Sequence, residues 1–264
     1  MFVAQEVVNA VTAYAPIQGT SPTLYSQSTY VAAMLQQIGK ANAAILETLE
    51  TTQPLGNLPV AIPTKTITLA RLCELGGRDP DIAWPLFEAL WTELTLPGRP
   101  PLLFALDSLS LIMQNSKYMS SKFEPIHSMD LALVKKFTDL LSGATTLPNG
   151  GAVIAATSRA HAVQSKSLTL AIAQEEDRKA GREITKLDPF ERAYDARADA
   201  TMKGVEVLKL KGITKVEARG LMEYWAGSGV YRRVVDERVV DEKWALAGNG
   251  VVGEIQRATL KMRI

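Results

Sequence analysis

The stretch "PLLFALDSL", residues 101–109, decides the fold class of this chain. Its apolar run ends at Asp107, is too short for a helix and lacks the alternation of a half-buried strand. A continuous apolar run of this length is typical of a strand buried on both faces, as in a parallel sheet. We therefore expect a buried strand that ends in a single carboxylate.

A second apolar run, "AVIAATSRA" at residues 152–160, ends in small polar residues. Between the two runs lies "IHSMDLALVKKFTDLLSG", residues 126–143, whose apolar residues recur at helical spacing. A strand, a crossover helix and a second strand predict parallel neighbours in an α/β fold. Because the carboxyl ends of parallel strands meet at one sheet edge, we expect Asp107 to lie near Thr157, Ser158 and Arg159.

An apolar strand that ends in Asp is the Walker B pattern of nucleoside triphosphatases. A carboxylate there holds Mg²⁺, directly or through water, beside the phosphates. The pattern makes Asp107, Ser108, Thr157 and Ser158 the candidate nucleotide-binding residues, and Asp107 the candidate ligand of the metal. The alternative is structural, since an Asp after a strand is often a turn former or a helix cap.

Two further features bear on this nucleotide hypothesis. The phosphate-loop pattern G-x-x-x-x-G-K-[ST] does not occur in the 264 residues; "QQIGKANAA" contains Gly39 and Lys40 but lacks the earlier glycine and the Ser or Thr. Ser108 also follows Asp107 where hydrolysing proteins usually carry a Glu that positions water. We expect a nucleotide to be bound here rather than hydrolysed.

The pattern of the chain changes near residue 185, which predicts two domains, 1–184 and 185–264. Thr214 and Glu217 form a capping-box pattern at the start of a helix. Three other stretches favour strands: "VEVLKL" (205–210), "RVVDEKWAL" (238–246) and "ATLKMRI" (258–264). Together with the helix, they predict a small helical domain with a wing.

We expect four side chains to have structural rather than functional roles. Cys73 is the only cysteine, so an internal disulfide is impossible, and we expect it in the core of a helix. His127 is expected at the start of a helix rather than as a catalytic base. Trp225 and Trp244 lie in amphipathic segments and are expected to pack in a core rather than on a partner surface.

Charge and hydropathy exclude several classes of protein. The net charge of +1 argues against a protein coated in nucleic acid. Residues 203–264 carry twelve Lys and Arg against eight Asp and Glu, which favours either a limited RNA contact or a solvated helix face.

No stretch of about 18 apolar residues occurs, so we expect no membrane span. The first residues lack the Arg of a transit peptide, so we expect a cytosolic chain or one that begins within something longer.

Several segments, in the same order, resemble the death-associated-protein family of mitochondrial small-subunit ribosomal proteins, most closely its fungal branch. They are "SKYMSSKFEPIHSMDLALVKKF", "LPNGGAVIAATS", "EARGLMEYWAGSGV" and "VVDEKWALAGNGVVGEIQRATLKMRI". The resemblance implies a P-loop NTPase-like, AAA+-related parallel sheet with flanking helices. It also implies GTP or GDP with Mg²⁺ as ligand, with Asp107 at the Walker B position and Ser158, or by a weaker match Thr157, at the sensor position.

The resemblance further implies a place in the mitochondrial matrix, in the head of the small ribosomal subunit. The partners it implies are small-subunit proteins, limited rRNA, and the large subunit through a bridge, with no membrane. Family members carry a transit peptide and a phosphate loop upstream, so we expect this chain to be N-terminally incomplete and its own nucleotide binding to be impaired.

Three functional hypotheses follow. The first is a structural component of the small ribosomal subunit with a guanine-nucleotide-type site. The second is an active AAA+-type nucleoside triphosphatase, for which a Walker A loop and a Glu after Asp107 are missing from these residues. The third is a nucleotide-dependent switch outside the ribosome, which would exchange partners with its nucleotide state.

Overall fold

The computed structural model describes residues 2–9, 12–52, 67–157, 165–192 and 194–261. The chain divides into two compact units, Met1–Val205 and Glu206–Ile264.

The first unit contains nine helices and seven strands among its described residues. The helices are α1 (Ala4–Val8), α2 (Ser28–Ala41), α3 (Ala43–Leu46), α4 (Leu69–Arg78), α5 (Pro80–Leu94), α6 (Leu109–Ile112), α7 (Ala132–Leu141), α8 (Lys166–Ala180) and α9 (Ala196–Met202). The strands are β1 (Phe2–Val3), β2 (Ala15–Pro16), β3 (Tyr25–Ser26), β4 (Leu102–Asp107), β5 (Asn115–Met119), β6 (Pro125–His127) and β7 (Gly151–Ala155).

The boundary between the units lies later than the sequence suggests. The predicted boundary after residue 184 falls inside the first unit, which extends to Val205. Helix α9 packs on α8, and the Arg178 guanidinium contacts the Asp199 carboxylate at 2.6 Å. This packing, which the charged sequence of the region does not reveal, holds residues 185–205 to the first unit.

Three parallel strands form the main sheet in the order β1-β4-β7. The parallel pairing predicted for β4 and β7 is confirmed, with Leu102 opposite Gly151 and Leu106 opposite Ala155. Gly151 has φ +142°, and a Cβ at this position would come within 2.0 Å of the Leu102 carbonyl oxygen. The register of the two strands therefore requires glycine here.

A row of aromatic rings covers one face of the sheet. The ring of Phe104 on β4 lies 5.6 Å from that of Trp91 on α5 and 5.2 Å from that of Phe137 on α7. On the opposite face Leu103 is 67% exposed and Ile154 is 54% exposed. The prediction that the strand is buried on both faces is therefore wrong for the described residues, because α5 and α7 cover only the face that carries Phe104.

Helices α2, α4 and α5 pack against one another beside this sheet. Their starts follow capping rules: the Thr68 hydroxyl accepts from the Arg71 N–H at the start of α4, and Asp79, followed by Pro80, accepts from the Asp81 N–H at the start of α5. Cys73 is buried in α4 as predicted, and burial raises the pKa of its thiol to about 12.

A β-hairpin interrupts the connection between β4 and α7. In the segment "NSKYMSSKFEP" and the two residues after it, β5 and β6 pair as antiparallel strands. A 3-10 turn, Ser128–Asp130, follows, and α7 begins only at Ala132. Residues of β5 are alternately exposed and buried, and Tyr118 is almost fully buried. This alternating burial stabilises the short strand although the sequence around it is rich in turn-forming residues.

The second unit is helical in the residues described. Its helices are α10 (Lys215–Gly227), α11 (Glu237–Leu246) and α12 (Val252–Gln256), followed by a π-helical turn, Arg257–Lys261. The capping box of Thr214 and Glu217 is confirmed at the start of α10. The predicted wing is wrong: residues 238–246 lie within α11, residues 258–261 form the π-helical turn, and residues 262–264 lie outside the described ranges.

The error at α11 has a simple physical origin. Adjacent Val239 and Val240 favour a strand by propensity, but the Asp236 carboxylate accepts from the Val239 N–H at 2.8 Å and starts a helix. Val240, Trp244 and Ala247 then recur at helical spacing on the side that packs into the unit. Tertiary packing has overridden local strand propensity.

Both tryptophans of the second unit take part in its core, as expected. Trp225 packs against two clusters, one around Ala218 and Ile255 and one around Met222 and Val240. The Trp244 indole Nε1–H donates to the Ile213 carbonyl oxygen at 2.7 Å. The unit is small, so its stability depends strongly on these large side chains.

We expect Trp225→Ala to lower the free energy of unfolding by about 3 kcal/mol, because it leaves a cavity between both clusters. The neighbouring exposed residue provides the control, and Tyr224→Ala should change stability by no more than about 0.5 kcal/mol. Urea denaturation followed by far-UV circular dichroism measures both. Equal effects of the two substitutions would contradict the core position of Trp225.

Candidate functional site

Asp107 is the last residue of the central strand of the main sheet. It lies opposite Val3 of β1, while its neighbour Leu106 lies opposite Ala155 of β7. The carboxylate is exposed, and within the described part of the chain it makes no hydrogen bond or ion pair. A solvent-facing carboxylate at the carboxyl end of a central parallel strand can take a ligand without first losing a structural partner.

Backbone hydrogen bonds hold the ends of β4 and β7 together. The Ala156 N–H donates to the Leu106 carbonyl oxygen at 2.9 Å, and the Leu109 N–H donates to the Ala156 carbonyl oxygen at 2.8 Å. Thr157 follows Ala156 directly and is exposed. The structure thus places Asp107, Ser108 and Thr157 at one sheet edge, as predicted, whereas Ser158 and Arg159 lie outside the described residues.

Ser108 turns the chain sharply after the strand. Its backbone has φ 62° and ψ 52°, the left-handed region, and its hydroxyl does not cap the short helix α6 that follows. This conformation costs a residue with a side chain about 1–2 kcal/mol. Left-handed non-glycine residues are uncommon and concentrate at functional sites, which is compatible with a ligand at this edge.

The chemistry of this edge suits Mg²⁺ held through phosphates. Mg²⁺ takes six oxygen ligands and is usually bound by one or two carboxylates together with water and phosphate oxygens. Asp107 supplies one such carboxylate, and no group of three or more His, Cys, Asp or Glu side chains able to hold a metal exists among the described residues. Asp107 could therefore serve as one carboxylate ligand of a metal whose other ligands are water or phosphate oxygens.

A cluster of charged side chains that sequence analysis missed surrounds His127. The His127 Nδ1 accepts from the Met129 N–H at 3.1 Å, which confirms its place at a helix start. Its Nε2 lies 3.0 Å from an Asp195 carboxylate oxygen, although the ring N–H is not aligned for a hydrogen bond. Arg197 contacts Asp195 at 2.9 Å and Asp130 at 3.7 Å. These contacts link the C-terminal end of β6 to the start of α9.

Burial is the largest influence on the pKa of His127, which it lowers below the ordinary value. Arg197 lowers this pKa further, while Asp195 and Asp130 act in the opposite direction. For Asp195, burial alone would raise the pKa, but hydrogen bonds from the Arg197 side chain and backbone outweigh it and the pKa is lowered. The folded cluster therefore favours neutral His127 beside charged Asp195.

We expect the free energy of unfolding to fall as the pH is lowered from about 7 to about 5.5. The unfolded chain takes up a proton at His127 near pH 6.5, whereas the folded chain does so only at lower pH, so protonation favours the unfolded state. His127→Asn keeps an acceptor for the Met129 N–H and removes the titrating group. Urea denaturation across this pH range should give a smaller slope for the variant, and identical slopes would contradict the lowered pKa.

The fold and the site define a class of protein: an α/β chain with a short parallel sheet, an acidic residue at the end of its central strand, and a helical C-terminal unit. None of the helices in the described ranges is long and apolar enough to cross a membrane. The family model for the mitochondrial ribosomal death-associated protein 3 matches residues 2–258. The chain therefore belongs to this family, and membership implies a location in the mitochondrial matrix.

A curated relative agrees with this assignment. The chain is 51% identical over 261 residues to a Neurospora crassa protein named small ribosomal subunit protein mS29. The match covers 97% of this chain and 55% of the relative, so the chain spans about half the length of the protein it matches. The resemblance to a fungal member of a mitochondrial small-subunit ribosomal protein family is confirmed.

Proposed function

We propose that this chain is a structural component of the mitochondrial small ribosomal subunit and supports mitochondrial translation. The observation that carries the proposal is the match to a mitochondrial ribosomal family over residues 2–258. The 51% identity to a protein named for the small ribosomal subunit supports the same function. The resemblance in sequence favours a position in the head, near the bridge to the large subunit.

The surface properties of the chain are compatible with partners that are mainly proteins. The net charge is close to zero, whereas a protein that neutralises many phosphates needs an excess of Lys and Arg. Large apolar side chains such as Leu103 and Ile154 are exposed on the sheet, and surfaces of this kind commonly mark protein contacts. The excess of basic residues after residue 203 would suit a limited contact with rRNA.

Sedimentation of the natural protein tests the ribosomal proposal. In a gradient of mitochondrial lysate, the protein should sediment with the small subunit at low and moderate salt. It should stay with the small subunit when chelation of Mg²⁺ separates the two subunits, and an unrelated matrix enzyme should remain at the top. Recovery of the protein free of ribosomes at low salt would contradict the proposal.

We also propose that the edge formed by Asp107, Ser108 and Thr157 is one part of a guanine-nucleotide site, bound as GTP or GDP with Mg²⁺. The carboxylate at the end of the central parallel strand supports it, since it is exposed and pairs with none of the described side chains. The phosphate-loop pattern does not occur in these 264 residues, so the backbone amides that cradle the phosphates would have to come from elsewhere. Ser108 in place of Glu favours binding over hydrolysis.

Nucleotide binding to the natural protein tests this site. Asp107→Ala should weaken Mg²⁺-dependent binding of a fluorescent GTP analogue at least tenfold, because the charged ligand of the metal is lost. Stability should change by no more than about 0.5 kcal/mol, since the side chain is exposed. Glu124→Ala removes an exposed carboxylate from the turn between β5 and β6 and should leave binding unchanged. Equal affinities for all three proteins would contradict the assignment of Asp107.

The alternative of an active AAA+-type triphosphatase or a switch outside the ribosome makes a different prediction. Phosphate release above background, abolished by Asp107→Ala, would favour the enzyme. Nucleotide-dependent exchange of partners off the ribosome would favour the switch. Ser108 at the position after the Walker B aspartate supports neither hydrolysis nor a hydrolysis-driven switch.

A further inference from the structure

Phe123 lies at the tip of the hairpin formed by β5 and β6, and its ring is in solvent. The residue is 88% exposed, although its side chain is large and apolar. Its backbone has φ 61°, in the left-handed region that residues with bulky side chains rarely adopt. Backbone strain and exposure of an apolar ring therefore coincide at this one residue.

The hydrogen bonds of the tip explain the left-handed backbone. The Phe123 N–H donates to the Ser120 carbonyl oxygen at 2.9 Å, and the Ser120 N–H donates to the Glu124 carbonyl oxygen at 2.7 Å. The Ser120 hydroxyl accepts from the Lys122 and Glu124 N–H groups, both at 3.2 Å. A three-residue hairpin loop of this kind ends in a left-handed residue, for which glycine is the usual choice. This sequence has phenylalanine there instead.

The base of the hairpin is held by buried contacts, which fix the direction of the tip. Tyr118 of β5 is buried, and its hydroxyl accepts from the Gln27 side-chain amide at 3.0 Å. The Ser116 hydroxyl donates to the Ile126 carbonyl oxygen at 2.7 Å and joins the two strands. The ring of Tyr14 packs 4.7 Å from that of Tyr118. An aromatic side chain held out on a rigid base loses little conformational freedom when it binds.

The side chains near the tip define what kind of surface it can meet. Lys117 and Lys122 are exposed, and neither ammonium group forms an ion pair or a hydrogen bond with the described residues. Met119, the last residue of β5, is 47% exposed. Aromatic residues and methionine are enriched in the cores of protein interfaces. The hairpin therefore presents an apolar tip flanked by two cations.

We propose that Phe123 is an anchor of a protein–protein interface, and that it inserts into an apolar pocket whose rim carries acidic side chains facing Lys117 and Lys122. A projecting ring requires a concave partner, and opposite charges around it favour the encounter. Such a contact gives a reason for phenylalanine at a position where glycine would relieve the strain.

The partner is a neighbouring protein of the small ribosomal subunit, and this part of the inference rests on the proposed function. RNA is the weaker candidate for two reasons. Two lysines neutralise few phosphates, and the exposed carboxylate of Glu124, next to Phe123, repels them.

Photo-cross-linking from position 123 identifies the partner. The natural protein carrying p-benzoylphenylalanine at this position should cross-link, in purified small subunits, to a protein at an apolar site beside Asp or Glu. The same photoreactive residue in place of Phe190 is the matched control and should give a much lower yield, although Phe190 is 89% exposed in the same unit. Equal yields from the two positions, no product, or cross-links from position 123 to rRNA or to a second copy of the chain would overturn the proposal.

Retention on the subunit measures the strength of the contact. The gradient is run at the salt concentration that leaves half of the unaltered protein bound. Phe123→Ala should then lower the bound fraction to about a tenth, because loss of an interface anchor weakens binding about tenfold or more. Phe190→Ala should leave the bound fraction near half. An unchanged fraction for Phe123→Ala would overturn this inference alone, whereas the ribosomal proposal fails only if the unaltered protein does not sediment with the subunit.

Phe123→Gly separates binding from folding. Glycine adopts the left-handed conformation without steric cost, so the melting temperature should stay unchanged or rise by about 2 °C. The bound fraction should nevertheless fall as it does for Phe123→Ala. A lower melting temperature with glycine would show that the ring stabilises the fold, and would overturn its assignment to an interface.

Lys122→Glu tests the acidic rim of the pocket. It reverses a charge beside the ring and should reduce the bound fraction. Lys40→Glu is the matched control, since Lys40 of α2 is also exposed and forms no ion pair with the described residues, and it should leave the fraction near half. An unchanged or larger fraction for Lys122→Glu would overturn the acidic character of the partner.

Discussion

The parallel pairing of β4 with β7 is the constraint on which the rest of the first unit depends. Parallel neighbours cannot be joined by a tight turn, so the chain must leave the sheet and return through a long connection. Here that connection holds the hairpin β5–β6 and helix α7, and α7 returns to cover Phe104. The close approach of Gly151 to Leu102 fixes the register, and this register brings the two polar strand ends to the same edge.

The helices were predictable wherever capping residues and apolar spacing agreed. Asp79 before Pro80 and the pair Thr214 and Glu217 mark helix starts that the structure reproduces. Prediction failed where strand propensity and tertiary packing disagreed, as at Val239 and Val240 of α11. The segment 205–210 is a second failure of prediction: its sequence favours a strand, but the structure forms no strand at these residues.

The sequence predicts where the candidate site residues lie on the sheet, but not their backbone conformation or their long-range contacts. A strand pattern locates Asp107 at a sheet edge and Thr157 beside it, because parallel strands align their carboxyl ends. It does not reveal the left-handed backbone of Ser108, which precedes the hydrogen bond from the Leu109 N–H to the Ala156 carbonyl oxygen. It also does not reveal the contact between His127 and Asp195, since residues far apart in sequence meet there only through the packing of α9.

The burial of Cys73 has a consequence for how motions of the helical layer can be followed. The only thiol in the chain is sealed within α4, beside α2, and burial holds its pKa at about 12. A thiolate-selective reagent therefore meets no reactive sulfur until these helices separate. The rate at which the reagent labels Cys73 therefore measures how often this helical layer opens, with no need to introduce another cysteine, and it reports on a region distinct from the polar strand ends.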